Sequence, residues 1–492
     1  MSERKAILSG LSWNTLTVVL QVVIQLVYTA IMARWISPGD FAMMGIVLSL
    51  MGFAEIFSQV GIGPALIQRR EVHSGHINGA FWTAVGLGLI FTLVFVCAAP
   101  WIGQLYQMPR LVLITQVVST AFIISALGVV PRSMMMKHMA FKSFFKASMW
   151  SVVLGNLVVG LTLAYFGWGV WAYVWALFSQ NVIMTLGYWW YEPIRIGWDD
   201  TRKGIKELLR YGTGSTLFNA LNYAATKVDV TMVPLLLPQG QLNTAGWYER
   251  SAYVVSLPIT IMAKLSDNVL FSGMSKMQDE KERLQKLVLI TTNVLSLAVI
   301  PTSVWVILHA EWLMTFYLGD QYQGAGVILQ FLFVAVVFRT LNRVSDALLR
   351  AVDATFEASW IKGLYVTLMV LACWVGALYG IQWIALGIAI STGIHFLMGA
   401  WKGQQLIEGS LVSLLQTTWN GWRLGIIVLL DTLLVKEFMF GGQSSFVEVM
   451  ITLVMMLMTC VVVLYKMPHW LGSTSINPIQ FIPQGLRQKM KL

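Results

Sequence analysis

The chain has 492 residues, of which 57% are hydrophobic and only 11% are charged. Soluble domains carry about 25% charged residues, so the composition excludes an ordinary soluble globular protein. Apolar runs recur along the whole length and lack the period-two alternation of membrane barrels. We therefore expect an all-α, polytopic membrane protein. The net charge of +10 needs a separate explanation, which the distribution of the bases supplies.

The apolar runs predict about fourteen membrane-spanning helices, because each run is long enough to cross the hydrocarbon core. In chain order they lie near 11–35, 41–66, 78–102, 110–131, 147–166, 169–190, 212–236, 246–273, 287–309, 326–350, 358–379, 381–401, 416–435 and 446–466. The loops between them are short, and the largest polar breaks are 192–210 and 276–286.

The Lys and Arg residues predict the orientation of these spans. With the N-terminus in the cytoplasm and an even number of spans, about three quarters of the bases fall on the cytoplasmic side. The bases at the outer ends are Arg34, Arg110, Arg250 and Lys436, and those within spans are Lys227, Lys264, Arg339 and Arg343. This asymmetry predicts that both termini are cytoplasmic. It also explains the net charge without nucleic acid.

The polar breaks divide the chain into candidate domains. The predicted division is 1–191 for an N-lobe of spans 1–6, 192–210 for a cytoplasmic linker, 211–405 for a C-lobe of spans 7–12, 406–466 for spans 13 and 14, and 467–492 for a cytoplasmic tail. Two six-helix lobes in parallel relation would fit a transporter built from repeats.

A charged stripe occurs in the span near 326–350. Its members, at steps of four and three, are Arg339, Arg343, Asp346, Arg350 and Asp353. On an α-helix they fall within about ±40° of one line, over about 21 Å. Arg343 can pair with Asp346, and Arg350 with Asp353, so we expect Arg339 to be the deepest unmatched cation.

Charged residues also occur in two preceding spans. Lys227 and Asp229 are two apart and point to different sides of a helix, whereas Lys264 and Asp267 are helix neighbours. A base at the centre of a span costs about 2.5–3.5 kcal/mol to insert, so such residues usually face water or a partner. We expect these bases to line a hydrated cationic cavity that receives an anionic group. The alternative is that they form interhelical ion pairs that only hold the bundle together.

Catalytic and cofactor motifs do not occur in the sequence. There is no Walker-type phosphate loop, no HExxH and no nucleophile elbow. The three cysteines are far apart in apolar runs, which argues against a disulfide framework or a zinc site. We predict no catalytic residue, no bound metal and no cofactor.

Several stretches together resemble the Wzx-type polysaccharide exporters. The first is "MARWISPGDFAMMGIVLSLMGFAEIFSQVGIGPALIQRREV" (32–72), and the others are "PRSMMMKHMAFK" (131–142), "GWGVWAYVWA" (167–176), and "YERSAYVVSLP" followed by "KMQDEKERL". The resemblance covers most of residues 5–350. It departs from the family's usual pattern at Ala42, where glycine is usual, a change that we expect to matter little to mechanism.

The resemblance implies the multidrug/oligosaccharidyl-lipid/polysaccharide exporter superfamily of the bacterial inner membrane. Its members have two six-helix lobes around a central cavity, often with two additional C-terminal helices, which agrees with about fourteen spans. It implies a non-enzymatic flippase that carries an oligosaccharide on undecaprenyl pyrophosphate across the inner membrane for exopolysaccharide, capsule or O-antigen assembly. The implied partners are that lipid-linked glycan, membrane lipids, and polymerase and chain-length machinery. Nucleic acid is not among them.

Residue roles and alternatives follow from the charge pattern and the resemblance together. The predicted substrate-binding residues are Lys227, Lys264, Arg339, Arg343, Arg250, Tyr223 and Asn222. The predicted ion-coupling residues are Glu55 and Asp229. A drug or cation antiporter of the same superfamily is the first alternative, and it would favour an acidic cavity. An integral-membrane enzyme is the second, and it would need a catalytic site on a larger loop. A non-transporting assembly scaffold is the third.

Overall fold

The structure, a computed structural model, describes residues 3–59, 62–69, 71–198, 216–238, 240–441 and 444–466. Within these ranges the long elements are helices and no strand occurs. Each predicted span overlaps a helix, so the all-α fold class is confirmed. In the described part of the chain, 10 helices are long and apolar enough to cross a membrane. The number of about fourteen spans stays a prediction.

The described helices group into two compact units. One comprises Met1–Glu249 with Tyr317–Gln321, and the other comprises Arg250–Phe316 with Tyr322–Leu492. The helix that follows the predicted linker, Thr216–Leu236, therefore belongs to the first unit, together with the helices that precede the linker. The predicted linker, 192–210, and the predicted tail, 467–492, fall largely or wholly outside the described residues. The predicted domain boundaries stay a prediction.

The first unit contains ten helices within the described residues, a π-helical segment and the start of an eleventh helix. They are α1 (Glu3–Trp35), α2 (Pro38–Gln59), α3 (Ile62–Gln68), α4 (Ser74–Leu105), α5 (Pro109–Ser119), α6 (Ala121–Lys137), α7 (Phe141–Val152), the π-helical Val153–Gly160, α8 (Leu161–Tyr165), α9 (Val170–Tyr191), α10 (Thr216–Leu236) and the first residues of α11 (Leu242–Ser275). A buried apolar cluster from α2, α5, α6 and α9 forms much of its core.

The start of α2 shows why a helix begins there and what it contacts. Ser37 Oγ accepts a hydrogen bond from the Asp40 amide at 3.2 Å, the usual contact of an N-cap. Pro38 occupies the first helical position, where its missing N–H costs nothing. The Gly39 amide donates to Asn243 Oδ1 of α11 at 3.0 Å. The start of α11 therefore satisfies a backbone donor of α2 that has no partner within its own helix.

A close helix contact follows from the π-helical segment. A Cβ added at Gly155 would lie 2.7 Å from the backbone nitrogen and Cα of Gln180 in α9. The neighbouring Asn156 side chain donates to Gln25 Oε1 of α1 at 3.2 Å. π-Helical turns are rare and redirect side chains within a helix. Here the turn places a residue without a side chain against α9 and a polar side chain against α1.

Gly155→Ala should destabilise the first unit by about 1–3 kcal/mol, because the backbone of α9 must move away from the new methyl group. Gly86→Ala in α4 is the matched control, since nothing lies within 4 Å of its Cβ position. Alanine has the higher helix propensity, by about 1 kcal/mol, so the control should be neutral or stabilising. Thermal unfolding in detergent measures both changes. Equal shifts for the two variants would contradict the predicted close contact.

The second unit contains the rest of α11 and six further helices of the described chain. They are α12 (Lys281–Leu318), α13 (Ala325–Ala351), α14 (Thr355–Ala377), α15 (Ile381–Leu406), α16 (Leu411–Phe440) and α17 (Phe446–Lys466). The last residues of α12 and the first two of a short 3₁₀ turn at Asp320–Tyr322 belong to the first unit. The helix α13 is among its most buried: most of its apolar side chains are in the core, although it carries the charged stripe.

Candidate functional site

The charged stripe predicted near 326–350 lies on α13. Arg339 and Arg343 are half-buried, two helical turns or more from the C-terminal end of the helix. Arg350 Nε donates to the backbone carbonyl of Asp346 at 3.2 Å. The predicted last member, Asp353, lies beyond the helix end with a φ of 59°, a conformation that aspartate tolerates better than most residues. The helical stripe therefore ends at Arg350, and the prediction that Asp353 continues it on the same helix was wrong.

Asp346 forms an ion pair with a residue of the next helix. Lys362 Nζ lies 2.7 Å from Asp346 Oδ2, and the two side chains are 5% and 22% exposed. This cross-helix partner was not predicted, and the predicted pairing of Arg343 with Asp346 stays a prediction. Burial of the lysine and of most of the carboxylate costs desolvation that only close geometry offsets.

Lys362 was missed as a site residue because its position near the start of α14 indicated a cytoplasm-facing base. A usable signal was present. A turn around Ala354 joins α13 to α14, and Ala354 is eight residues from Asp346 and eight from Lys362. In an antiparallel pair of helices, residues equally distant from the turn lie at the same level. Opposite charges at such positions predict the observed pair.

His395 on α15 is a second residue near the stripe that the sequence did not single out. It is 4% exposed, and its ring stacks on Tyr365 of α14, with centroids 4.2 Å apart and planes 10° apart. The Tyr365 hydroxyl contacts Thr392 Oγ1 at 3.1 Å. His395 also interacts electrostatically with Asp346. The helices α13, α14 and α15 therefore carry a buried group of ionisable side chains.

Arg250, predicted to bind substrate, lies in α11 at the start of the second unit. It is 3% exposed, and its guanidinium carbon lies 4.8 Å from the centroid of the Tyr253 ring. This is a cation–π contact, which gains strength when both groups are desolvated. The adjacent Ser251 donates to the Ala325 carbonyl at 3.2 Å, which ties α11 to the start of α13.

The two charges of α10 have different environments. Asp229 is 2% exposed, accepts a hydrogen bond from the Tyr248 hydroxyl at 2.9 Å and accepts another from the Val230 amide. Lys227 is half-buried. The residues therefore point to different surroundings, as their spacing predicts. The donors of these two hydrogen bonds to Asp229 belong to the first unit, and Tyr248 is a residue of α11.

The predicted sugar-contacting residues Tyr223 and Asn222 are also on α10. Tyr223 is half-buried, and its hydroxyl donates to the Leu48 carbonyl of α2 at 3.4 Å. Asn222 is exposed. The Tyr223 ring thus packs α10 against α2 near Gly52, where a side chain would meet the phenol.

Glu55 of α2 lines a cavity of about 230 Å³ within the first unit. The other polar side chains of this cavity are Ser125 of α6 and Asn181 of α9, and the remaining walls are mostly apolar. Glu55 itself is exposed, so its carboxylate is accessible to a small ligand. One carboxylate among two neutral polar groups in an apolar cavity suits a proton or a monovalent cation. Among the described side chains, no group of three His, Cys, Asp or Glu residues could hold a metal ion.

The predicted site residues are therefore divided between the two units. The first unit holds Glu55, Asn222, Tyr223, Lys227 and Asp229, and the second holds Arg250, Arg339 and Arg343. Lys264 belongs to α11, but its side chain lies outside the described residues, as does that of Asp267. Within the second unit, Asp346, Lys362 and His395 join the predicted bases.

Comparison with known proteins gives both a family and a fold. Residues 31–327 match the family described as "Polysaccharide biosynthesis protein". A curated relative, the lipopolysaccharide biosynthesis protein WzxC of Escherichia coli K12, is 24% identical over 367 residues, which are 74% of this chain and 74% of WzxC.

Two solved structures share the fold. The lipid II flippase MurJ, in an inward closed conformation, superposes with a TM-score of 0.73 at 12% sequence identity, over 92% of this chain and 98% of MurJ. An inward-facing multidrug resistance transporter of the MATE family, in the MOP superfamily, superposes with a TM-score of 0.64 at 16% identity, over 79% of this chain and 94% of that one. The similarity to these structures shows that the chain shares their fold.

Proposed function

Because this chain belongs to the polysaccharide biosynthesis protein family, we propose that it moves undecaprenyl-pyrophosphate-linked oligosaccharide repeat units across the bacterial inner membrane. The transfer runs from the inner to the outer leaflet by alternating access and serves exopolysaccharide, capsule or O-antigen assembly. Similarity to WzxC, a lipopolysaccharide biosynthesis protein, and to MurJ, a lipid II flippase, supports this substrate class. The protein performs no catalysis and uses no cofactor.

The two arginines of the charged stripe on α13 are the observation that supports the proposal most directly. Arg339 and Arg343 lie in a helix apolar enough to span a membrane. A pyrophosphate carries about two negative charges and cannot cross hydrocarbon unaided, because an unpaired ion is strongly disfavoured there. Guanidinium groups bind phosphate through two parallel hydrogen bonds and stay charged at every accessible pH. They can replace the water that the pyrophosphate loses.

The remaining roles follow from charge and hydrogen-bonding capacity. Lys227, Lys264 and Arg250 provide further positive charge for the pyrophosphate or for acidic sugars. Tyr223 and Asn222 bind sugar hydroxyl groups through their own polar atoms. The polyprenyl chain stays in the surrounding lipid. Polymerase and chain-length proteins are the partners that receive the product, and both termini of the chain lie in the cytoplasm.

Coupling to an ion gradient is assigned to the first unit. Glu55 lines the cavity of that unit, and Asp229 is buried there beside Tyr248. A carboxylate that gains and loses a proton or a sodium ion changes the charge of its surroundings and can bias two conformations.

Glu55→Gln should lower ion-driven transport by about 10- to 100-fold, because one charge-assisted contact of about 1.5–3 kcal/mol is lost. The amide keeps the size and polarity of the side chain, so the protein should remain folded. Glu71→Gln, in an exposed position before α4, is the matched control and should keep full transport. The effect is measured as transfer of the lipid-linked glycan in proteoliposomes that carry an imposed proton or sodium gradient. Equal transport by both variants would remove Glu55 from the coupling role.

The direct test of the proposed function is transfer of the lipid-linked glycan. Purified protein in proteoliposomes should expose undecaprenyl-pyrophosphate-linked oligosaccharide to an enzyme added outside, and empty vesicles should not. In cells, deletion should stop polymer export while lipid-linked repeat units accumulate. No transfer by a folded, reconstituted protein would contradict the proposal.

One observation favours a second candidate, a drug or cation antiporter. The cavity of the first unit combines mostly apolar walls with the carboxylate of Glu55, which suits an organic cation. Resistance to cationic drugs on overexpression, lost in Glu55→Gln, would support it. The bases of α13 have no role in that activity, so Arg339→Ala would leave drug resistance unchanged.

A further inference from the structure

A fully buried histidine–glutamate pair joins α12 to α17 and includes none of the residues assigned to transport. His309 Nε2 lies 2.9 Å from Glu448 Oε1, and both side chains are 0% exposed. One helical turn along, Trp305 of α12 donates through Nε1 to Thr452 Oγ1 of α17 at 3.1 Å. In the opposite direction along the same two helices, the ring of Phe446 packs on that of Trp312. Aromatic side chains thus flank the pair on both sides.

Counting hydrogens determines what this pair must hold. His309 Nδ1 lies 2.9 Å from the Trp305 carbonyl, which can only accept, so Nδ1 carries a hydrogen. In neutral histidine the other nitrogen, Nε2, then has a lone pair and no hydrogen, so it can only accept. A lone pair and an ionised carboxylate oxygen would repel at this separation. One further proton must therefore lie between Nε2 and Glu448 Oε1.

The second carboxyl oxygen supports the same conclusion. Glu448 Oε2 is buried and has no hydrogen-bond partner in the described part of the chain. Thr452 Oγ1 lies 3.3 Å from His309 Nε2, and its hydroxyl can also donate to the Glu448 or Val449 carbonyl. A net negative charge on the pair would be strongly disfavoured in such a dry site, whereas the pair with one proton is neutral.

We propose that His309 and Glu448 form a proton-binding site that holds α17 on α12. The pair binds one proton, and loss of that proton weakens the attachment of α17 because an unpaired carboxylate then faces a lone pair in the dry interior. The site is distinct from the charged stripe and from Glu55, and it does not depend on the transported substrate.

Other titratable groups near the pair must be considered in a pH experiment. Glu311 lies two residues after His309 on α12, and Lys436 and Glu437 lie near the end of α16, which precedes α17 in the chain. The helix α13 also packs on α12, through a hydrogen bond from Gln330 to the Ile307 carbonyl, and its residues before the stripe are not titratable. Glu311 is exposed, which makes it a suitable control.

Thermal unfolding of the purified protein over a range of pH tests the proposal. The wild type should lose several degrees of melting temperature between neutral and alkaline pH. Glu448→Gln should abolish this loss and keep the neutral-pH melting temperature, because its amide supplies a permanent hydrogen to Nε2. Glu311→Gln should respond like the wild type.

A second variant keeps the test decisive if Glu448→Gln does not fold. His309→Gln combined with Glu448→Gln replaces the pair by two neutral amides that can donate and accept a hydrogen bond but bind no proton, so this protein should show no alkaline loss. The same alkaline loss in either pair variant as in the wild type would overturn the proposal. Disappearance of the alkaline loss of melting temperature in Glu311→Gln would also overturn the proposal.

Discussion

Replacement of both stripe arginines, Arg339→Ala with Arg343→Ala, should reduce glycan transfer by about 100- to 10,000-fold. Each hydrogen bond to a charged group contributes about 1.5–3 kcal/mol, and the double variant loses two such contacts to the pyrophosphate. The helix is otherwise buried and apolar, so removing two costly charges from it should not prevent insertion. The measurement is glycan transfer in proteoliposomes at equal amounts of folded protein.

Two controls make that result specific. Arg423→Ala removes a base from an exposed position of α16 in the same unit and should transport normally. Arg339→Lys with Arg343→Lys keeps the charge but loses the planar, two-pronged geometry, so it should fall between the wild type and the alanine variant. If the alanine variant transports at the wild-type rate, the assignment of the stripe to the pyrophosphate fails.

Loss of one partner of the Asp346–Lys362 pair should destabilise the protein by about 3–5 kcal/mol, because the other charge is left buried without its partner. Lys362→Met and Asp346→Leu should each lower the melting temperature sharply. The double variant should recover most of the loss, since two apolar side chains of similar size replace two charges. Thermal unfolding of the four proteins gives the coupling energy as a double-mutant cycle.

The exposed pair Lys281–Glu408 is the matched control for this cycle. Its atoms are 2.6 Å apart, but its side chains are 53% and 76% exposed, so water screens the attraction. Lys281→Met should therefore change stability little. The hydrogen bond and charge of Lys281 lower the pKa of Glu408, so this small contribution is present at neutral pH and lost as pH falls through that pKa. Equal losses in Lys281→Met and Lys362→Met would contradict the role of burial.

Composition and periodicity alone determined the class of this protein. A charge content of 11% and long apolar runs predict spanning helices, because each backbone polar group in lipid must be bonded within its own helix. The charged stripe could also be predicted from the sequence, because its spacing depends only on helical geometry within one segment. Arg339 and Arg343 do share one long apolar helix, as the spacing predicts.

Only the tertiary structure decided the cross-helix partners of the charged residues. Asp346 pairs with Lys362 of the next helix. Asp229 is held by Tyr248, and His309 meets Glu448 at a separation of 139 positions. Local spacing shows which face a side chain occupies. Which helix lies against that face depends on packing over the whole unit, and no short segment of sequence contains that information.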